Sequence, residues 1–254
     1  MQSRPWHRIG VNGNDVSSPV RVIALGDCNT VTSNPLQGTL PDGLVAAFEA
    51  HGVSTSVCNL GGGMRTSREG LAVLREYAIP ADIAILNFGL VDAWVTTIPM
   101  VYVPCYPETF LRKRARKLVK FIKRRLRSPV IRKFVPRGPV VSETEFSHNV
   151  HAMIELLVRQ NGCCRIFVWG TVPVTNDSKR NTGIDRYNTI LRSVALESGA
   201  LYVDPNEILL GVSPAERLID GVHQSPETSR LLGQRIVGLY MLDQQRDCCR
   251  EDAA

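Results

Sequence analysis

Apolar residues in this chain fall into short unbroken runs, separated by longer segments of helical period. The runs Val20–Leu25, Val53–Asn59, Ile83–Phe88, Arg165–Trp169 and Leu201–Val203 predict about five strands. They are apolar almost throughout rather than alternating, which is the pattern of a strand covered on both faces. Between them, Leu40–His51 places Leu44, Val45 and Phe48 on one stripe, and Ser67–Tyr77, Asp185–Ser198 and Ser225–Leu242 also read as helices. Ser142-Glu143-Thr144-Glu145 has the form of a capping box and opens a further helix that runs to about Gln160. Strands alternating with helices predict an α/β fold with a central parallel sheet between helical layers. Residues 1–18 read as a polar, flexible N-terminal arm, 19–245 as one domain and 246–254 as a tail. One long segment, about 93–141, breaks the alternation and reads as an insertion.

In such a sheet the ligand site lies beyond the carboxyl ends of the strands. Cys28, the Gly61-Gly62-Gly63 turn, Gly89–Asp92 and Thr171–Pro173 all follow predicted strands and are expected to share one rim. At the far end of the chain, Asp220-Gly221-Val222-His223 precedes the last helix. An Asp three residues before a His can orient the imidazole through one ring nitrogen, leaving the other to take a proton from a nucleophile. Taken with the Gly-Asp-Cys turn at 26–28, that spacing predicts nucleophilic catalysis. His148 and His151 share a helix face, but no third ligand is near in sequence, so a solvated face is the expectation there.

Composition removes several classes. No apolar stretch approaches the roughly 20 residues that a membrane-spanning helix needs. The first residues, MQSRPWHRIGVNGNDVSSP, contain no apolar core of a secretory signal. The seven cysteines show no CxxC spacing, which predicts neither a zinc cluster nor a disulfide framework, and no cofactor is implied. Reduced thiols and a cytoplasmic location are the expectation, with peripheral membrane contact as a variant.

The formal charge of +6 is local: residues 112–137 hold 13 of the 30 Lys and Arg and none of the 24 acidic residues. Within 110–134, Leu111, Ala115, Leu118, Val119, Ile122 and Leu126 fall on one helical face with cations over the rest. This predicts a lid helix packing its stripe beside the site, an anionic membrane contact, or a dock for an acidic carrier protein. Nucleic acid is disfavoured, because stacking aromatics are sparse there and the remaining chain is acidic. Trp94, Tyr102 and Tyr106 are expected either to line a substrate cleft or to anchor the insertion.

Four stretches in order, VIALGDCNT (22–30), VCNLGGGMRTSREGLAVL (57–74), ILNFGLVDAW (85–94) and DGVHQS (220–225), resemble the four blocks of the SGNH (GDSL-type) hydrolase superfamily. The resemblance implies a flavodoxin-like three-layer α/β/α sandwich. It also implies an acyl-transfer site of Ser-His-Asp type, used in that family on acylated sugars, lipids, thioesters and simple esters. Carried over residue by residue, Cys28 stands at the nucleophile, His223 at the base and Asp220 at its orienter. Gly63 or Met64 stands at the second-block backbone donor, with Met64 at the usual glycine. Asp27, Asn29, Asn59 and Asp92 complete the oxyanion and substrate-binding set. Two departures are plain: cysteine replaces the nucleophilic serine, and Val91 replaces the third-block asparagine.

A thiol at this position implies a thioester acyl-enzyme and tilts the chemistry towards acyl transfer, from a small-molecule, glycan or carrier-bound acyl substrate. A strand-to-helix turn at Cys28 would favour its thiolate. The third-block form Gly-Leu-Val-Asp with the basic segment is similar to SGNH-like proteins of surface-polysaccharide clusters, implying a glycan. The other readings are a catalytically silent SGNH-fold scaffold and a carbohydrate O-acetyl esterase.

Overall fold

The computed structural model describes residues 7–9, 18–31, 36–77, 79–126 and 134–251. Parts of the predicted arm (1–6, 10–17), of the basic segment (127–133) and of the tail (252–254) therefore lie outside the described residues. The strands are β1 (His7–Ile9), β2 (Val20–Gly26), β3 (Thr55–Asn59), β4 (Ile83–Asn87), β5 (Val95–Thr97), β6 (Arg137–Pro139), β7 (Arg165–Trp169) and β8 (Leu201–Val203). The helices are α1 (Leu40–Ala50), α2 (Ser67–Glu76), α3 (Phe110–Arg125), α4 (Glu143–Gln160), α5 (Ser178–Glu197), α6 (Pro205–Ile208), α7 (Pro214–Arg217) and α8 (Pro226–Glu251).

Five strands run parallel in the order β3-β2-β4-β7-β8, as the apolar runs predict. The central pair β2 and β4 is closed to solvent on both faces from Val22 to Leu25 and from Ile83 to Leu86. One face is covered by α1 and α8, whose Leu44, Phe48, Leu232 and Ile236 meet Val22, Ala24, Ile83 and Ile85. The other is covered by α2, α4 and α5, whose Leu74, Phe146, Ile154 and Leu191 meet Ile23, Leu25, Ala84 and Leu86. Alternate residues of one strand thus serve opposite layers, and the fold is the three-layer α/β/α sandwich.

Four elements depart from the expectation. His7–Ile9, inside the predicted arm, pairs antiparallel with β3 as an edge strand, His7 opposite Val57. Three residues are too few to show a period. Helix α5 begins at Ser178 rather than Asp185, because the Asp177 side chain caps it by accepting from the Arg180 N–H (3.0 Å). Its polar first two turns hide the period. Helix α8 runs on to Glu251, through most of the predicted tail. The insertion is closed at its base by β5 pairing with β6, Val95 opposite Pro139.

Helix α3 differs most in its packing. The predicted stripe packs only in part: Leu111, Leu118 and Ile122 are 77, 60 and 46 % exposed, while Ala115, Val119 and Leu126 are half-buried. The helix is also held by polar ties to its own insertion, Arg116 Nη1 to Pro104 O (2.8 Å) and Lys123 Nζ to Thr96 Oγ1 (3.3 Å). No helix of the described residues is long and apolar enough to cross a membrane.

Candidate active site

Strand β2 ends at Gly26, where a side chain is sterically excluded: a Cβ would lie 2.0 Å from Thr30 Oγ1 and 2.5 Å from Asn87 O. The chain then turns sharply. Asp27 N–H donates to Asn87 O at the end of β4 (3.2 Å), and Thr30 N–H returns to Asp27 O (3.1 Å). Cys28 stands at the apex of this turn. Its side chain packs with Leu90, Val174 and Ile184, and Val222 closes the cluster.

The second component is the 220–223 loop. Asp220 Oδ2 meets His223 Nδ1 at 2.7 Å, while Oδ1 accepts the backbone N–H groups of Val222 (3.1 Å) and His223 (2.8 Å). The imidazole is held at one nitrogen by the carboxylate, which also fixes the loop that carries it. These three bonds, the closest being the side-chain pair, draw Asp220 below the ordinary aspartate range against the opposing effect of burial. Ile219 N–H to His223 O (2.9 Å) and Ser225 N–H to Arg217 O (2.9 Å) complete the loop.

Two chain segments almost two hundred residues apart are joined here. Asn29 Oδ1 accepts Gln224 N–H (3.0 Å), and Gly38 N–H donates to Gln224 O (3.1 Å). Gln37 Nε2 donates to Cys28 O (2.5 Å). With Val222 packed against the Cys28 cluster, the Asp220–His223 pair and the thiol are brought to one rim. Among the described residues, no other side chain is hydrogen-bonded to the thiol, which has only its own backbone N–H beside it.

Asn59, at the end of β3, accepts Gly61 N–H (2.9 Å) and donates to Thr30 O (2.8 Å), so it shapes the glycine turn against the Cys28 turn. Gly62 N–H donates to Gly26 O (3.1 Å). Met64 then takes φ of 57°, the left-handed region that favours glycine, which accords with its standing at a glycine position. Its neighbour Gly63 has open space where a Cβ would be. Asp92 does not face the rim. It is closed to solvent, its Oδ1 taking Ser67 N–H (2.9 Å) and Ser67 Oγ–H (2.7 Å) and its Oδ2 taking Gly89 N–H (3.2 Å). It clamps α2 to the third block rather than contacting a ligand.

The electrostatics overturn one expectation. No helix starts at Cys28; residues 27–30 form a turn and α1 begins at Leu40. Burial pushes the thiol well above the usual cysteine range, the nearby Asp27 adds to this, and Arg180 opposes it. At neutral pH the thiol therefore keeps its proton. Arg180 is the site residue that the sequence reading missed. Its guanidinium stacks 4.5 Å from the Trp94 ring centroid, its Nε has no hydrogen-bond partner, and it acts on both Cys28 and Asp27. Nothing in the local sequence around α5 marks it.

Burial also raises Asp27, to about 7, with Asp92 adding and Asn29 N–H opposing. Asp92 is raised to about 6 by burial. An unfolded aspartate near 3.8 releases its proton before the folded one does. The folded state thus binds more protons between those values, and stability is lost as pH rises from about 4 to about 7. Asp27→Asn keeps the acceptor for Asn29 N–H and removes this penalty. It is expected to stabilise the protein by a few kcal/mol at pH 8 and to leave it nearly unchanged at pH 4. Denaturant unfolding at the two pH values measures the difference.

Residues 24–231 match the family model of the GDSL-like lipase/acylhydrolase family. Among solved structures, the chain is similar to Axe2, an acetylxylan esterase from Geobacillus stearothermophilus, at 17 % identity and a TM-score of 0.55. That match covers 87 % of this chain and 94 % of the other. It is also similar to Est24, a carbohydrate acetylesterase from Sinorhizobium meliloti, at 14 % identity and a TM-score of 0.57, over 88 % and 99 % of the two chains. Among curated proteins, none matches the chain in sequence. The block order, the sandwich and a family match over most of its length agree: this chain belongs to the GDSL-like lipase/acylhydrolase family.

Proposed function

We propose that the protein is an acyl-ester hydrolase or acyltransferase in which Cys28 is the nucleophile, His223 the base and Asp220 its orienter. The observation that carries this is the 2.7 Å bond from Asp220 Oδ2 to His223 Nδ1, in a loop tied to the Cys28 turn through Asn29 and Gln224. In the first step Cys28 Sγ adds to the acyl carbonyl carbon while its proton passes to His223 Nε2. The backbone N–H groups of Cys28 and of Gly63 or Met64 are the donors for the developing oxyanion. Collapse expels the alcohol oxygen, which takes the proton back from His223 and leaves a Cys28 thioester. Water or an acceptor nucleophile, deprotonated by His223, then releases the acyl group and regenerates the thiol.

Arg180 supplies positive charge beside this centre, where Val91 has no side-chain donor to offer. The two neighbours described as acetylesterases of carbohydrates favour an acylated glycan as substrate, with water as acceptor. A transfer reaction differs only in what enters the second step. The opposing reading, a silent scaffold, is favoured by the raised thiol and by Val91.

Intact-protein mass spectrometry after incubation with acetyl and longer acyl esters and thioesters separates these readings. The wild-type protein is expected to gain one acyl mass, and Cys28→Ala none. Turnover without an adduct, undiminished in Cys28→Ala, would overturn Cys28 as nucleophile. No adduct and no turnover with any donor would support the scaffold.

A further inference from the structure

Outside the rim lies a groove of about 650 Å³ between α3 and the segment that leads to it. One wall is apolar: Val91, Trp94, Val101, Val103 and Val140, with Met64 at its end. The opposite wall is α3, which turns Val119 and the cations Arg116, Lys117, Lys120, Lys123 and Arg124 towards it. Arg116 is engaged with Pro104 O and Glu108, and Lys123 with Thr96. Lys117, Lys120 and Arg124 have no acidic partner among the described residues. The stripe residues Leu111, Leu118 and Ile122 stand on the other side of α3, in solvent.

Lys117, Lys120 and Arg124 are exposed at the edge of the groove, where they stand beside an apolar wall. Solvated cations bordering an apolar groove suit an anion with an apolar body. The groove also meets the catalytic rim. Met64 and Val91 belong to the second and third blocks, and Trp94 carries the Arg180 guanidinium that acts on Cys28.

We propose that this groove binds the apolar chain of the substrate, and that the substrate is an anionic amphiphile: an acylated glycan borne on a single chain through a phosphate-class head. The chain lies along Val101, Val103 and Val119, the head is held by Lys117, Lys120 and Arg124, and the reacting ester reaches Cys28 past Met64 and Val91. The placement rests on the catalytic reading above, but the binding does not depend on turnover. Sequence alone could not show it, because the cations form one continuous basic run there and only the fold separates those over the groove from the rest.

The test is isothermal titration of the Cys28→Ala protein with dodecyl phosphate below its micellar concentration. Dodecyl maltoside and inorganic phosphate are the comparison ligands. One dodecyl phosphate is expected per chain, at least about tenfold tighter than dodecyl maltoside, with no heat from inorganic phosphate in the same range. Val103→Trp, which fills the groove, is expected to weaken it by about tenfold or more. Lys117→Glu with Lys120→Glu, both on the surface of α3, should weaken dodecyl phosphate while sparing dodecyl maltoside.

Equal affinity for the two amphiphiles, unchanged binding in both variants, or no binding would overturn the proposal. So would association only with anionic phospholipid vesicles that is lost in Leu118→Glu, which would assign α3 to a membrane surface. Neither adduct nor turnover with any acyl donor, with intact dodecyl phosphate binding, would refute the catalytic reading alone.

Discussion

His223→Ala is expected to lower kcat/KM on any ester that the protein turns over by about 10³–10⁴. For a solvent-exposed cysteine the loss would be milder, because part of a free thiol ionises near neutral pH without help. Cys28 has no such route, since burial among Leu90, Val174 and Ile184 and the neighbouring Asp27 hold its proton on. In the proposed mechanism the imidazole therefore has to remove that proton in the step that forms the carbon–sulfur bond. The residual rate of the variant should rise about tenfold for each pH unit, following the thiolate fraction, with no plateau in the neutral range.

Asp220→Asn is expected to lose nearly as much as His223→Ala. Asp220 uses both oxygens, Oδ2 on the imidazole and Oδ1 on the two backbone N–H groups, and an asparagine has a single carbonyl oxygen. With that oxygen kept on the loop donors, the amide NH2 faces Nδ1 and holds the imidazole in the tautomer whose Nε2 carries the proton and cannot act as base. The charge opposite the imidazolium is lost as well, although Asp220 is 44 % exposed and solvent screens part of it. Steady-state kinetics of both variants on an acetyl ester decide the matter. A His223→Ala protein with nearly full activity would show that another group deprotonates the nucleophile, and would remove the Asp220–His223 pair from the mechanism.

The legibility of this protein follows the length scale of each interaction. Buried strands declare themselves, because a segment such as Ile83–Leu86, closed to solvent on both faces, has no choice of residue type. The Asp220–His223 pair was legible for the same reason of locality: both partners and both supporting N–H groups lie within four consecutive residues. The Asn29–Gln224 bond and the Arg180–Trp94 stack were not, since each joins segments brought together only by the fold. Helix α3 shows the converse failure. Its amphipathic period is real, but period fixes only that one face is apolar, not which face the body receives. There Val119 and several cations border a groove while Leu111, Leu118 and Ile122 stay in solvent, so the centre of the apolar stripe is not what the body receives.

Gly233→Ala is expected to destabilise the fold by about 3 kcal/mol, an overpacking cost at the upper end of the usual range. Helices α1 and α8 cross with backbone against backbone. A Cβ on Gly233 would lie 2.3 Å from Gly43 O, and one on Gly43 would lie 2.0 Å from Ser229 O. Neither obstacle is a flexible side chain, so relief requires the helices to separate along the face that buries Leu44, Phe48, Leu232 and Ile236. The gain in helix propensity from glycine to alanine, about 1 kcal/mol, offsets only part of this.

Gly238→Ala on the same helix is the control. A Cβ there meets nothing within 4 Å, so propensity alone acts and the protein should be stabilised by about 0.5–1 kcal/mol. Two identical substitutions five residues apart on one helix should thus move the thermal midpoint in opposite directions, by roughly 6–12 °C down and a few degrees up. The same crossing bears on the reaction. Helix α1 follows the Cys28 turn and α8 starts at Pro226, directly after the His223 loop, so any separation of the two helices draws His223 away from Cys28. In Gly233→Ala, kcat should therefore fall at temperatures where the protein is still fully folded, while Gly238→Ala keeps the wild-type rate. A normal kcat in folded Gly233→Ala would mean that the Asn29–Gln224 and Gly38–Gln224 bonds alone hold the two loops in register.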